Sequence, residues 1–295
     1  MPRLIPLFAA AALATVTACG GGGATAASPP PLVIAGIPDQ DVALLEERFG
    51  GLADYLTEEL GFPVRYQPAT DYAAVVTAFA NGDVKLGWFG GLTGVQARLE
   101  TPGAKAVAQR PIDEEFTSVF VAAADVPAER LEDFDGTTFT FGSESSTSGH
   151  LMPRFFLQEA GVDPETDFDG RPSYSGSHDK TWKLVEAGSF QAGALNASVW
   201  DRAVEEKQVD LDEVREVVRS RAYVDYHWVA HPELDEVYGE GTTDRIVEVL
   251  LGMDDDGPQA ERILELFEDD EFIATDNGRY GAIEQVARDL GLLAP

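Results

Sequence analysis

Short apolar segments alternate with longer amphipathic segments along most of the chain. In the first half, strands are predicted over 32–37, 64–66 and 84–89, and helices over about 41–60, 71–82 and 90–100. In the second half, strands are predicted over 139–141, 173–175, 191–195 and 214–218, and helices over about 151–160, 178–188, 196–206, 246–251, 259–267 and 280–290. This alternation predicts an α/β fold with parallel sheets.

Two further apolar segments, 116–122 and 223–229, are predicted to be strands that cross from one sheet to another. Two sheets that face each other across a cleft would bring their strand-to-helix turns together. Ligands of open α/β sheets bind outside the carboxyl ends of the strands. The pattern therefore predicts a binding architecture.

The turn between the strand at 139–141 and the next helix contains Ser146, Thr147, Ser148 and Gly149. Hydroxyls and free backbone N–H groups at the start of a helix form a favourable site for an anion. Simple N-capping is the alternative, because Ser and Thr are preferred caps. Three hydroxyls exceed what one cap needs, which favours binding.

The chain begins with features of a secretion signal. Arg3 precedes an apolar stretch that is too short to span a bilayer permanently. Small residues precede Cys19, the only cysteine, in the manner of a bacterial lipoprotein signal; the alternative is an ordinary signal peptide. We predict a signal peptide at 1–19, lipidation of Cys19 and a flexible tether over 20–31. A single cysteine excludes disulfides and Cys-based metal sites.

The composition is strongly acidic, with 52 Asp and Glu against 21 Lys and Arg and a net charge of -31. Nucleic acids and anionic membrane surfaces prefer basic patches, so neither is an expected partner. A solvated surface suited to a saline habitat explains the charge best. An anionic ligand would have to be held by local donors against this field.

Several segments together resemble the extracytoplasmic solute-binding proteins of ABC importers, in the branch that captures phosphonate and phosphite. Within it, the chain is most similar to members described as selenate-binding proteins. The segments that carry the resemblance lie at 35–39, 70–76, 86–91, 109–110, 141–155, 175–179 and 193–196.

The resemblance implies a type II periplasmic-binding-protein fold, with two lobes joined by two crossing strands and a cleft between them. Lobe I would comprise 32–112 and 223–295, and lobe II would comprise 113–222. A monomeric receptor outside the cytoplasm is expected, with no catalysis, no cofactor and no metal. Its partners would be a small oxyanion, an ABC permease with its ATPase, and the membrane through Cys19.

The resemblance also implies the residues that contact the ligand. They are Tyr72, Phe89, Gly90, Ser146, Thr147, Ser148, Gly149, His178 and Asn196. Core packing is the alternative for Tyr72 and Phe89, and Phe89 lacks the hydroxyl of a tyrosine that many members have near this site. His178 could lie in an exposed capping region instead. A neutral Asn196 disfavours a ligand that bears an amine.

The protonation state of the ligand stays open at this level. Sulfate and selenate are fully ionised and need donors only, whereas phosphate, phosphite and phosphonates can carry a proton that needs an acceptor. Asp39, Asp71 and Asp179 are the candidate acceptors. Arg110 and Arg154 are candidate charge partners.

Other classes of function have weaker support. A hydrolase would be expected to show a Gly-x-Ser-x-Gly elbow, which the chain lacks. The four histidines do not form an H-E-x-x-H zinc pattern. The remaining alternatives are a receptor for a metal or an organic ligand, and a tethered sensor or adhesion protein on the same fold.

Overall fold

The computed structural model describes Met1 and residues 29–293, apart from the side chain of Asp255. The signal peptide, Cys19 and most of the tether predicted from the sequence lie outside the described residues. The described strands are β1 Leu32–Gly36, β2 Val64–Tyr66, β3 Leu86–Phe89, β4 Lys105–Gln109, β5 Ser118–Ala123, β6 Phe139–Phe141, β7 Ser173–Tyr174, β8 Ala192–Asn196, β9 Val214–Arg219, β10 His227–Ala230 and β11 Ile273–Ala274.

The α-helices of the same residues are α1 Val42–Leu60, α2 Tyr72–Ala80, α3 Gly91–Glu100, α4 Met152–Glu159, α5 His178–Glu186, α6 Ala197–Glu205, α7 Leu234–Tyr238, α8 Thr242–Leu251, α9 Pro258–Leu266 and α10 Gly281–Asp289. A π-helical turn, Thr147–Leu151, leads into α4. Short 3₁₀ segments are Pro111–Glu114, Leu131–Phe134, Met253–Asp255 and Asn277–Tyr280. No helix among the described residues is long and apolar enough to cross a membrane.

The strands form two sheets, and we call the parts of the chain built on them lobe I and lobe II. Lobe I has the strand order β11-β4-β10-β3-β1-β2, and lobe II has the order β7-β6-β8-β5-β9. The α/β class and the two-lobed fold are therefore as predicted. The exact lobe limits, 32–112 with 223–295 and 113–222, stay a prediction.

The sheets are mixed, whereas the sequence pattern predicted parallel ones. β1 is parallel to β2 and β3, and β6 is parallel to β7 and β8. β10 is antiparallel to β3, and β5 is antiparallel to β8. β5 and β10 are the first strands after the two crossings, and β11 is antiparallel to β4.

The two crossings lie side by side. Phe116 and Tyr223 form an isolated antiparallel bridge, with N–H···O distances of 2.8 and 2.9 Å in the two directions. This pairing ties together the two chain segments about which the lobes can move. The chain passes from one sheet to the other between β4 and β5 and again between β9 and β10.

Alternation along β5 places apolar side chains on both faces of the lobe II sheet. Phe120 belongs to one buried cluster, whereas Val119 and Val121 belong to the cluster on the other face. The first of these clusters also contains Leu92 of α3 and Ile283 of α10. The C-terminal helix and the start of α3 therefore pack where the lobes meet.

The elements that sequence reasoning missed are short. β4, α7 and β11 have few residues, and two of them lie at or near the edge of the lobe I sheet. Periodicity over so few residues is weak, because a strand of two residues has no alternation to detect.

Gly36 in β1 packs directly against an aromatic ring. A Cβ atom added there would lie 2.1 to 2.8 Å from three ring atoms of Phe49, which is fully buried. We expect Gly36→Ala to lower the free energy of unfolding by about 1–3 kcal/mol, because overpacking forces the ring to shift. Urea denaturation followed by circular dichroism measures this change.

Gly50→Ala is the matched control, because Gly50 lies in α1 and an added Cβ would meet no heavy atom within 4 Å. There we expect a gain of about 0.5–1 kcal/mol from helix propensity. Equal effects of the two substitutions would contradict the packing at Gly36.

Candidate ligand-binding site

The three hydroxyls of the turn after β6 have three different surroundings. Ser146 Oγ accepts the N–H of Gly149 at 2.9 Å and so caps the helix. Thr147 Oγ1 accepts the N–H of Leu92, at the start of α3 in lobe I, at 3.0 Å. Ser148 Oγ is buried and has no hydrogen-bond partner. One hydroxyl therefore caps, one joins the lobes and one has no partner.

Gly149 is required by packing inside the turn. A Cβ atom there would lie 3.0 Å from Gly142 Cα, from His178 Cε1 and from Ser146 Oγ. Its carbonyl accepts the N–H of Gly142 at 2.8 Å. These contacts hold the turn against the end of β6 and the start of α5, and a contact of Gly149 with the ligand stays a prediction.

The start of α3 faces the same turn from lobe I. A Cβ atom at Gly90 would lie 3.0 Å from Thr147 Oγ1 and 3.1 Å from Asp225 Oδ1. The N–H of Gly91 donates to Asp225 Oδ1 at 2.8 Å. Glycine at position 90 therefore lets the helix start approach both groups.

Asp225 was not identified from the sequence. Its carboxyl is fully buried, and Oδ2 has no hydrogen-bond partner. Burial raises the pKa of Asp225 to about 7, against the opposing effect of the Gly91 N–H and smaller effects of Thr147 and Ser148. The available signal was a single acidic residue inside the apolar crossing segment 223–229.

Only one of the three carboxylates proposed as proton acceptors is buried at this junction. Asp39 is 2% exposed, its Oδ1 has no partner, and burial raises its pKa. Asp71 is exposed and caps α2 by accepting the N–H of Ala74 at 2.8 Å. Asp179 pairs with Lys183 at 3.0 Å. Asp39 and Asp225 are thus the carboxylates available to a ligand.

Two tyrosines complete the wall between these carboxylates. Tyr72, the first residue of α2, is 2% exposed, and its Oη has no hydrogen-bond partner. Burial raises the pKa of Tyr72, with a further increase from Asp39. Tyr226, which sequence reasoning did not single out, stacks on Trp88 with ring centroids 5.7 Å apart.

His178 is buried rather than exposed. Its backbone N–H donates to the carbonyl of Asp39 at 2.9 Å, across the lobes. Nδ1 accepts the N–H of Asn196 at 3.2 Å, so the proton of the neutral ring lies on Nε2, 3.2 Å from Tyr226 Oη. Burial lowers the pKa of His178 to about 4. The imidazole is therefore neutral and has one N–H to donate.

Two of the expected contact residues have clear structural roles. Asn196 caps α6, because its Oδ1 accepts the N–H groups of Ser198 and Val199 at 2.7 and 3.2 Å. Phe89 packs edge-on against Phe79, with ring centroids 5.6 Å apart. The Phe89 side chain thus lies in the core of lobe I, as the packing alternative held.

Both arginines considered as charge partners are engaged elsewhere. Arg110 is buried and pairs with Asp113 through two bonds of 2.7 and 2.8 Å, and it donates to the carbonyl of Phe267 at 2.6 Å. Arg154 pairs with Glu165 at 2.6 Å. A ligand would therefore be held by neutral donors rather than by either guanidinium.

Four buried atoms without partners converge where the lobes meet, and we call them the unpaired group. They are Asp39 Oδ1, Tyr72 Oη, Ser148 Oγ and Asp225 Oδ2. Asp39 and Asp225 both raise the pKa of Tyr72, after the effect of burial, and Ser148 lowers that of Asp225. Tyr72 is therefore within interaction range of both carboxyls, and Asp225 is within range of Ser148. A buried polar atom without a partner costs about 1–3 kcal/mol. Such a concentration indicates a site for a small polar ligand.

The chemistry of the unpaired group is mixed. The hydroxyls of Tyr72 and Ser148 can donate to anionic oxygens, whereas the carboxyls of Asp39 and Asp225 accept when they are ionised. Among the residues that the structure describes, no cluster of three His, Asp or Glu side chains could hold a metal ion. The arrangement suits a ligand that is an anion and also carries a proton.

Residues 34–280 match the family described as the periplasmic phosphonate substrate-binding protein of an ABC transporter. The chain belongs to this family. It is 40% identical over 265 residues to the probable ABC transporter phosphite binding protein PhnD1 of Prochlorococcus marinus, covering 88% of this chain and 89% of that protein. The structure of PhnD1 in complex with methylphosphonate matches this chain with a TM-score of 0.86. The match covers 89% of this chain and 98% of the PhnD1 chain.

Two further relatives are more distant. The phosphate-import protein PhnD of Mycolicibacterium smegmatis is 29% identical over 186 residues, or 60% of this chain and 58% of that protein. A binding protein of an ABC phosphonate transporter from Pseudomonas aeruginosa is 18% identical with a TM-score of 0.78, covering 88% of this chain and 86% of its own. These relatives are transport proteins rather than enzymes, and membership of a periplasmic family implies a location outside the cytoplasm.

The raised pKa of Asp225 predicts a specific pH dependence of stability. The pKa of a carboxyl in the unfolded chain is about 4, so between about pH 4 and 7 the native state binds more protons than the unfolded state. Asp225 therefore stabilises the native state at low pH, and this contribution to the free energy of unfolding is lost as the pH rises through 7. Asp225→Asn removes the dependence while keeping the acceptor for Gly91. Without ligand, the stability of the variant relative to wild type should rise by ~3 kcal/mol between pH 5 and 8.

Urea denaturation at the two pH values, in buffers free of phosphate, measures this difference. Asp167→Asn is the control, because the N–H of Asp163 lowers the pKa of Asp167 and keeps it ionised at both pH values. Its stability relative to wild type should not change with pH. The same constancy in Asp225→Asn would disprove the raised pKa.

Proposed function

We propose that the protein is the extracytoplasmic receptor of an ABC importer and that it captures a small phosphorus oxyanion carrying one proton. Methylphosphonate and phosphite are the ligands we favour. The observation that carries the proposal is the unpaired group, in which carboxyl oxygens of Asp39 and Asp225 lie beside the hydroxyls of Tyr72 and Ser148.

The buried carboxyls discriminate between classes of oxyanion. A fully ionised sulfate or selenate has no proton to donate, so Asp39 or Asp225 in its ionised form would repel it. A phosphonate or phosphite monoanion can donate its P–OH to a carboxylate while its other oxygens accept from hydroxyls and N–H groups. We therefore favour a phosphorus ligand over the selenate that the sequence resemblance suggested.

The comparisons support the same ligand class. PhnD1 is named as a phosphite binding protein, and its structure holds methylphosphonate. The Mycolicibacterium relative is named for phosphate import, so phosphate is the main competing ligand. Phosphate also carries a proton near neutral pH, and the donor set alone does not separate it from phosphonate.

Capture would proceed by closure of the lobes about the crossings. Thr147 and His178 of lobe II already bond to Leu92 and Asp39 of lobe I. An oxyanion placed at the unpaired group would contact both lobes and so favour the closed form, which the permease would then recognise.

Isothermal titration at pH 7 tests the ligand class on a soluble protein that begins after Cys19. We expect methylphosphonate or phosphite to bind at least about tenfold more tightly than sulfate and selenate, because a hydrogen bond to a charged group contributes about 1.5–3 kcal/mol. Tighter binding of sulfate or selenate would contradict the role of the carboxyls.

Ser148→Ala tests the unpaired hydroxyl in the same assay. We expect the dissociation constant for the preferred anion to rise by about tenfold to a hundredfold, because a donor to an anionic oxygen is lost. Ser145→Ala is the matched control, since Ser145 lies in the same turn and its hydroxyl is not in the unpaired group. Equal affinities in the two variants would remove Ser148 from the site.

We further propose that Cys19 carries a lipid that anchors the receptor at the membrane. Val16, Thr17 and Ala18 precede it in the manner of a lipoprotein signal. Cys19→Ala should move the protein from the membrane fraction to the soluble fraction in the producing cells, because the acyl chains supply the membrane affinity. Immunoblots of the two fractions measure this, and an unchanged distribution would contradict the anchor.

A further inference from the structure

An ion pair joins the lobes at α6. Arg202 Nη1 lies 2.7 Å from Glu268 Oε1, and Arg202 Nη2 donates to Gln40 Oε1 at 2.6 Å. Arg202 belongs to α6 in lobe II, whereas Gln40 precedes α1 and Glu268 follows α9 in lobe I. The side chains of Arg202 and Glu268 are 28% and 12% exposed, so the pair is substantially shielded from water.

Glu268 also faces two arginines of its own lobe. Arg48 Nη2 lies 3.5 Å from Oε1, and Arg110 Nη1 lies 4.0 Å from Oε2. Arg48 is buried, and after the effect of burial its charge has the largest influence on the pKa of Asp39. Glu268 therefore connects the contact between the lobes with a carboxyl of the unpaired group.

The backbone at Glu268 is unusual. Its φ of 65° is in the left-handed region, which residues other than glycine seldom adopt. Such conformations are costly and persist where their surroundings hold them, often at functional sites. The ion pair with Arg202 is one interaction that holds this carboxylate in place.

We propose that Glu268 is a positioning residue that latches lobe II to lobe I through Arg202 and thereby slows release of the bound ligand. The identity of that ligand rests on the proposed function. When the lobes separate, Arg202 leaves, but Arg48 and Arg110 stay beside Glu268. Opening therefore leaves no buried carboxylate without a cation, and the latch can release reversibly.

The latch is accessible to salt. Arg202 and Gln40 line a cavity of about 580 Å³ between α1 and α9 on one side and α5 and α6 on the other. Ions that enter this cavity screen the pair. The contribution of the latch to ligand retention should therefore fall at high ionic strength.

Stopped-flow tryptophan fluorescence on the protein loaded with methylphosphonate tests the latch. In Arg202→Gln we expect dissociation about threefold to tenfold faster than in wild type, with a nearly unchanged association rate. This ratio should shrink toward one in 1 M NaCl. Glu268→Gln should also accelerate release, and the double variant should be no faster than the faster single variant, because both changes break one interaction.

Arg219→Gln is the matched control. Arg219 pairs with Asp201, the neighbour of Arg202 on α6, at 2.6 Å, but both members belong to lobe II. Its release rate should equal that of wild type. Thermal unfolding without ligand should show that Arg202→Gln is folded, which excludes a general loss of structure.

Two outcomes separate the latch from the proposed function. If wild type binds methylphosphonate and Arg202→Gln releases it at the wild-type rate, the latch is wrong and the receptor function stands. If wild type binds none of the anions, the ligand proposal fails, and small-angle scattering without ligand tests the latch. There Arg202→Gln should increase the radius of gyration, and an unchanged radius would overturn the latch.

Discussion

The first N–H groups of α3 hold the site in its closed arrangement. Gly91 donates to Asp225 in the second crossing, and Leu92 donates to Thr147 in lobe II. These N–H groups have no partner within their own helix and lie at the positive end of its dipole. Because both are already engaged, an anion at this junction must be held largely by the hydroxyls of Tyr72 and Ser148. Which anion binds then depends on whether it can donate a proton to the carboxyls of Asp39 and Asp225.

The acidic composition fits this kind of selection. A net charge of -31 opposes the approach of any anion, and Arg110 and Arg154 are both paired with carboxylates elsewhere. A monoanion experiences about half of the repulsion that a dianion does. Neutral donors combined with the acceptors of Asp39 and Asp225 therefore suit a ligand whose second charge is replaced by a proton.

The sequence was sufficient to predict the α/β class and the hydroxyl-rich turn from local patterns, and the two lobes through the family resemblance. It was not sufficient to predict how the three hydroxyls of that turn divide their roles, which depends on a helix from the other lobe. Asp225 was missed because a lone carboxyl in an apolar segment has no spacing motif. Phe89 was expected in the site because it ends a strand and the family resemblance implied it. The direction of the Phe89 ring depends instead on its packing against Phe79 of α2.

The unpaired group has a further consequence for the motion of the lobes. Its atoms are buried only when the lobes are closed, since separation would expose Tyr72 and Ser148 to water. The cost of leaving them without partners therefore falls on the closed form without ligand, and not on the open form. A ligand that supplies the missing hydrogen bonds removes this cost and shifts the population toward closure. The atoms that select the ligand would thus also make the closed form more populated with ligand than without it.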